Sequence, residues 1–461
     1  MIPILIGIII LSLSAIVIIV LLSRQRITEE GQHPGIPVMV LGFWLVASAV
    51  WGPYFFALRP PGLFDITIDR IIFFVLLAIL GFGVVSGRVR LRENWSIELL
   101  MFLFLLVCLG SMIQHGFKEA MPRFPSPWNV FLNGYCFPFL VFLYAKNYVI
   151  TEKDLTFIFH TLFYFGVYLC VTAFFEFLDL RQFVFPRYIN DPTIWLHLDR
   201  ARGPFLNAAF NGLALTIGFL SGFYLQSMKV GFAGIINVFL LLLYFPAVFF
   251  TQTRSVYLSF LVALGSLLIF YKTPTLKWKR FALPVAAALV CLMILSPRIL
   301  SSERRGGGIM QTQEVEVRMS LTKRSLEMIG DQPFVGVGLA RFIPESIKRF
   351  RGRFSLAGSY TEQTQHNHLI GMAVELGLVG VSVYISILIL LFKRLFSLSK
   401  YLEETGNINI NLLIIITNIF CAYIITNLFV EPSYFLFVNA VFFTLAGIVN
   451  SLYDRYVLRL V

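Results

Sequence analysis

Charge is scarce in this chain. Only 13% of its 461 residues are Asp, Glu, Lys or Arg, against roughly 25% in an average soluble domain. Cysteine is scarce as well: Cys108, Cys136, Cys170, Cys291 and Cys421 are the full set. No two have CxxC or metal-ligand spacing, and each falls in or beside an apolar block. They read as small core hydrophobes and signal neither a disulfide framework nor a zinc site. HExxH is absent, and no carboxylate cluster accompanies the histidines, so no metal is expected. Internal repeats of the kind that mark many transporters are also missing. Residues 2–22 are apolar but lack a basic n-region and a small-residue cleavage site, so a retained span is expected rather than a signal peptide.

What the chain has is apolar length. Hydrophobic residues make up 58%, and the mean hydropathy is +0.80. With about 20 apolar residues needed to cross a bilayer, thirteen candidate spans emerge: 2–22, 36–58, 67–86, 96–114, 128–149, 155–178, 205–226, 232–250, 255–271, 281–296, 367–392, 410–430 and 433–452. The expected fold is an all-α polytopic membrane bundle of about 12–14 spans. The net charge of +12 does not point to nucleic acid. Lys and Arg cluster in short loops after every odd span, among them Arg88, Arg90, Lys146, Lys277 and Lys393. The positive-inside rule then puts those loops in the cytoplasm, the N-terminus outside and the C-terminus inside.

Two loops on the opposite side are long: 179–204 and 297–366. The second carries eleven Lys/Arg and seven Asp/Glu, and long loops translocate largely regardless of charge. The chain divides into N-terminal spans (1–200), central spans (201–296), this large loop (297–366) and C-terminal spans (367–461). Residues 301–313, SSERRGGGIMQTQ, read as a polar, glycine-rich connector. In 314–330, Val317, Leu321 and Met328 recur at helical spacing, which predicts an amphipathic helix on the membrane or on the bundle. Gly330-Asp331 and Pro333 end it. A second, basic helix is expected over 341–352.

Three polar groups then fall at outer span ends. In TQTRS (251–255), Arg254 sits at a tight turn, as an interface arginine or as an anion contact whose planar fork suits phosphate oxygens. Arg318 lies on the amphipathic helix, with Lys323 and Arg324 read as solvated charges. Gly336 and Gly338 read as a turn packed on the bundle more than as a phosphate loop. The third group is QHNHLIGMAVELGLVG (365–380). On a helix His366 and His368 would point about 200° apart, poorly placed to share a metal. His366 is the candidate proton acceptor, His368 reads as structural, and Asn367 as a tautomer-fixing or hydroxyl-binding residue. Glu375 lies deeper in the span, where a carboxylate needs a partner or a polar cavity. Glu431 and Glu176 stand at other outer ends.

These segments resemble the O-antigen ligase and polymerase-like membrane proteins. His366, Asn367, Gly377 and Gly380 fit the family's H-N-x9-G-x-x-G pattern. EVRMSLTKRSLEMIGDQPFVGVGLARF is similar to its arginine, helix and P-x-x-G-x-G segment. TQTRS is similar to its Thr/Ser-Arg signature. RARGPFLNAAFNG (200–212) resembles its Arg-x-Gly-x-Phe-x-Asn segment without the usual Pro-Asn. The likeness covers residues 200–392, and residues 1–200 match only in topology. It implies a metal-independent, cofactor-free glycan transferase of the bacterial inner membrane, with its site facing the periplasm. The donor would be a polyprenyl-diphosphate-linked glycan and the acceptor a glycan or lipid. The catalytic base falls on His366 and the diphosphate contacts on Arg254 and Arg318. Arg202, Asn367 and Glu375 are supporting candidates. A lipid-linked glycan flippase is the alternative.

Overall fold

The computed structural model describes residues 34–58, 65–87, 89, 91, 94–118, 120, 126–194, 197–228, 231–271, 312–353, 361–405 and 410–459. The expected spans 2–22 and 281–296, the connector 301–313 as far as residue 311, and several basic loop residues, including Arg88, Arg90 and Lys277, lie outside them. Among the described residues the chain forms thirteen helices. They are α1 (Ile36–Val50), α2 (Ile68–Val85), α3 (Ser96–His115), α4 (Pro127–Tyr148), α5 (Glu152–Phe177), α6 (Ala208–Gln226), α7 (Gly231–Phe250), α8 (Arg254–Phe270), α9 (Thr312–Asp331), α10 (Phe342–Phe350), α11 (His368–Thr405), α12 (Ile410–Asn427) and α13 (Leu436–Tyr456). Nine of these described helices are long and apolar enough to cross a membrane, and α1 and α8 are shorter apolar helices. The molecule is a polytopic all-α membrane bundle.

Two span expectations change at their ends. The block 36–58 is helical only to Val50. Trp51-Gly52-Pro53 follows, and a proline disfavours helical backbone at the residue before it. The chain then turns, and Leu58 pairs with Ile66 in an isolated bridge. The block 367–392 instead continues as helix to Thr405. The amphipathic stretch in the large loop is helical as expected, with Leu321 and Met328 buried.

The centre of the bundle is built by α6 and α13. Their best apolar windows are 100% and 94% buried, so these two helices meet protein on all sides. Helix α13 runs along α4. A side chain at Gly447 would stand 2.4 Å from the Phe142 carbonyl oxygen, so only glycine permits that approach. Midway, α4 widens into a π turn at Phe131–Cys136, just before Pro138, whose ring removes a helical donor.

At one end of the bundle, Lys146 is buried. Its Nζ lies 2.6 Å from Glu98 and 3.3 Å from Asp454, and it donates to the Asn94 carbonyl at 2.7 Å. Asn94 Nδ2 donates to Asp454 at 2.8 Å. Arg394 donates to Asn94 Oδ1 at 3.0 Å and to Ser96 Oγ, and lies over the Tyr453 ring. This network joins α3, α4, α11 and α13. Lys146, read as a loop marker, is thus a buried helix residue with partners, and so is Arg394, beside the loop marker Lys393.

Candidate functional site

At the opposite end, α11 is not one rod. Gly377 has φ 66° and ψ −174°, a region essentially confined to glycine. Residues 368 and 384 would be about 24 Å apart on a straight helix, yet the rings of His368 and Tyr384 are 5.3 Å apart. Two side chains cannot close that gap, so the chain doubles back at Gly377. The first arm, 368–376, folds down beside the second.

A broken helix leaves carbonyls at the end of one arm and N–H groups at the start of the next without partners. The loop 333–338 supplies both. Val337 and Gly338 donate to the carbonyls of Val374 and Glu375 at 2.9 and 3.0 Å, and Leu378 donates to the Pro333 carbonyl at 2.8 Å. Gly336 and Gly338 have φ of 69° and 110°. A Cβ at Gly336 would lie 2.5 Å from the Glu375 carbonyl carbon, and one at Gly377 2.2 Å from the Phe334 oxygen. Gly336 and Gly338 therefore interlock with Gly377 backbone to backbone.

The fold-back sinks the histidines. Tyr384 meets Phe104 at 5.6 Å, about 16 Å along α3 from its end at His115. His368 is buried there, its Nδ1 2.7 Å from Glu431 Oε1, with Tyr135 stacked at 6.4 Å. His366 precedes the helix and is half-buried. The 200° argument does not apply, because only His368 is helical. Asn367 caps α11: its Oδ1 accepts the Ile370 N–H at 3.0 Å, and its Nδ2 donates to the Leu428 carbonyl at 3.2 Å.

The turn after α12 gathers the rest. Phe429, beside Leu428, carries the exposed Arg318 guanidinium 5.5 Å from its ring. Arg254 is the first residue of α8 and is exposed, and α8 packs along α12, which leads into the same turn. Just before it, Gln252 adopts φ 47°, and Thr253 donates to the Thr251 carbonyl at 2.8 Å. Arg318 is set over the turn whose Leu428 carbonyl receives Asn367, the residue beside His366.

Arg202 is elsewhere employed. Its side chain is fully buried and donates to the carbonyls of Ile189, Asp191 and Ile194. Burial lowers its pKa. It knits the 179–204 loop together and is not offered to a diphosphate. Glu176 accepts the N–H groups of Arg202 and Gly203 at 3.2 and 3.1 Å. Glu375 likewise holds backbone, accepting from Ala340 and Phe342 at 3.0 and 3.1 Å. It shares a small pocket with Glu431, Gln365 and Thr364, and serves as a clamp on the loop rather than as a counter-ion to the arginines.

Three residues join the site that sequence reasoning did not single out for these roles. Arg324, expected to be solvated, is fully buried, and burial pushes its guanidinium down to about 10. It falls between Leu321 and Met328 on the inward stripe, which is the signal that would have found it. His197 accepts the Ala208 N–H at 3.1 Å. Burial first, then the charge of Arg200 and more weakly of Arg202 and His366, pushes it down to about 4. Glu431, read only as an acid at a span end, is the partner of His368. No group of three metal-ligating side chains gathers among the described residues.

Residues 238–385 match the family model described as O-antigen ligase. The match runs from α7 into α11 and includes Arg254, Arg318, His366, Asn367 and Glu375. It stops short of Glu431 and begins after Arg202. Comparison with curated proteins finds no match. Three of the four motifs lie inside the matched segment, which supports a likeness to the O-antigen ligases over that part of the chain.

Proposed function

From a likeness to the O-antigen ligases as premise, we propose that this chain transfers a glycan from a polyprenyl-diphosphate-linked donor at the outer face of the bacterial inner membrane, polymerising or ligating a surface polysaccharide. The observation that carries the reading is a half-buried His366 whose neighbour Asn367 is bonded to the Leu428 carbonyl, with the exposed Arg318 resting on the adjoining Phe429 ring. An acceptor hydroxyl attacks the anomeric carbon of the donor. His366 takes the hydroxyl proton as the new glycosidic bond forms. The bond from that carbon to the diphosphate oxygen breaks, and the electron pair leaves with the diphosphate. Arg254 and Arg318 stabilise the charge developing there, their forks matching phosphate oxygens.

Asn367 and the His368–Glu431 pair act on position. Each ties the segment carrying His366 to the 428–431 turn, which also seats Arg318, so base and cation share one support. A sugar hydroxyl is the nucleophile in this reading, and an imidazole can take its proton as it attacks.

Product analysis separates this reading from a flippase. Purified protein reconstituted with a lipid-linked glycan and an acceptor is expected to release polyprenyl diphosphate and lengthen or glycosylate the acceptor. Movement of the intact lipid-linked glycan across the bilayer, with no diphosphate released, would overturn it. In cells lacking the protein, accumulated single repeat units would identify a polymerase and full-length chains a ligase.

A further inference from the structure

Helix α9 has a second apolar stripe. Its inward stripe, Leu321, Arg324 and Met328, is buried. On the outward side, Met319, Thr322 and Leu326 follow at three- and four-residue spacing and so share a strip. Met319 and Leu326 are 55% and 63% exposed. A neighbouring outward strip is charged: Glu316, Lys323 and Glu327, all exposed. The outward surface is thus split lengthwise into an apolar half and a charged half, the pattern of a helix lying in a membrane interface.

The apolar half continues into the interlocking loop. Phe334 and Val335 are 68% and 54% exposed. Their segment is hydrogen-bonded to the start of the second arm of α11 through Leu378 and Val379, each 45% exposed. That arm carries its outward apolar surface on through Ile389 and Phe396, 59% and 75% exposed. A membrane helix presents such side chains to lipid.

We propose that the strip Met319–Leu326 of α9, with Phe334 and Val335, is immersed among the acyl chains of the leaflet at the His366 end, continuous with the lipid-facing side of α11. The large loop is then an interfacial anchor rather than a freely solvated domain. Arg318 borders the strip, next to Met319, so its guanidinium is held at headgroup height. The inference rests on no part of the transferase reading.

Single cysteines at Leu326 and Phe334, labelled with bimane in protein reconstituted into lipid nanodiscs, test it. Labels at Lys323 and Glu327 serve as the charged-strip controls, and Met319 is the alternate position if Leu326→Cys fails to elute like the parent. The expected result is stronger quenching by doxyl-labelled lipid than by iodide at 326 and 334, with the order reversed at 323 and 327. Iodide quenching at all four positions would overturn the proposal. Protection of 326 and 334 from both quenchers would also overturn it, and would point to a second copy of the chain on this face.

Discussion

The two ends of the bundle use the same residue types in opposite ways. At the Lys146 end, cation and anion are closed on each other: Lys146 is 1% exposed, with Glu98 and Asp454 within 3.3 Å. At the His366 end, Arg318 is exposed, rests on an aromatic ring, and forms no ion pair among the described residues. The acids of this end, Glu375 and Glu431, are spent on backbone N–H groups and on His368. A buried cation with carboxylates of its own is a joint between helices. An exposed cation resting on a phenyl ring fits the anion contact proposed for Arg318.

The largest expected effect breaks the joint. Lys146→Met leaves two buried carboxylates without their cation and is expected to cost about 3–5 kcal/mol of stability. Thermal unfolding in detergent would read it, with donor affinity of the surviving folded protein unchanged. Next is the interlock at the other end. Gly377→Ala forces a side chain into a glycine-only conformation against the Phe334 carbonyl, costing about 1–3 kcal/mol from the backbone alone. Limited proteolysis should then cut the 312–353 region faster than in the parent.

Arg318→Lys is the complementary change. It keeps the charge and loses the fork, so the melting temperature should stay put while transfer from the diphosphate donor falls by roughly tenfold, about 1.4 kcal/mol. Equal loss from both arginine and lysine joints, in both readouts, would erase the contrast between the ends. The smallest effect is a pH dependence. His197 is held neutral, about 4 against 6.5 when unfolded. Its contribution is therefore full above pH 6.5 and is lost as pH falls toward 4. His197→Gln should flatten the fall in melting temperature across that window.

Most of the architecture was legible because a bilayer demands long apolar blocks, and eleven such blocks recur as described helices. The site was legible only in part. His366, Arg254 and Arg318 stand out as polar residues beside apolar runs. The break at Gly377 does not, because one glycine in an apolar run reads equally as a packing contact. Its meaning appears only when the loop at 333–338 is brought against it. The His368–Glu431 pair spans two helices with no periodicity linking them. Arg202 misled because an arginine that binds carbonyls and one that binds phosphate look alike in a sequence. Arg324 was readable from the inward stripe but was masked by the charges beside it.

The central claim is that the His366 end performs transfer. Release of polyprenyl diphosphate from a lipid-linked glycan, measured side by side for the parent and His366→Ala at matched protein level and melting temperature, tests it most directly. General-base loss predicts a fall of about 10²–10⁴-fold. Undiminished release by the variant would contradict the account.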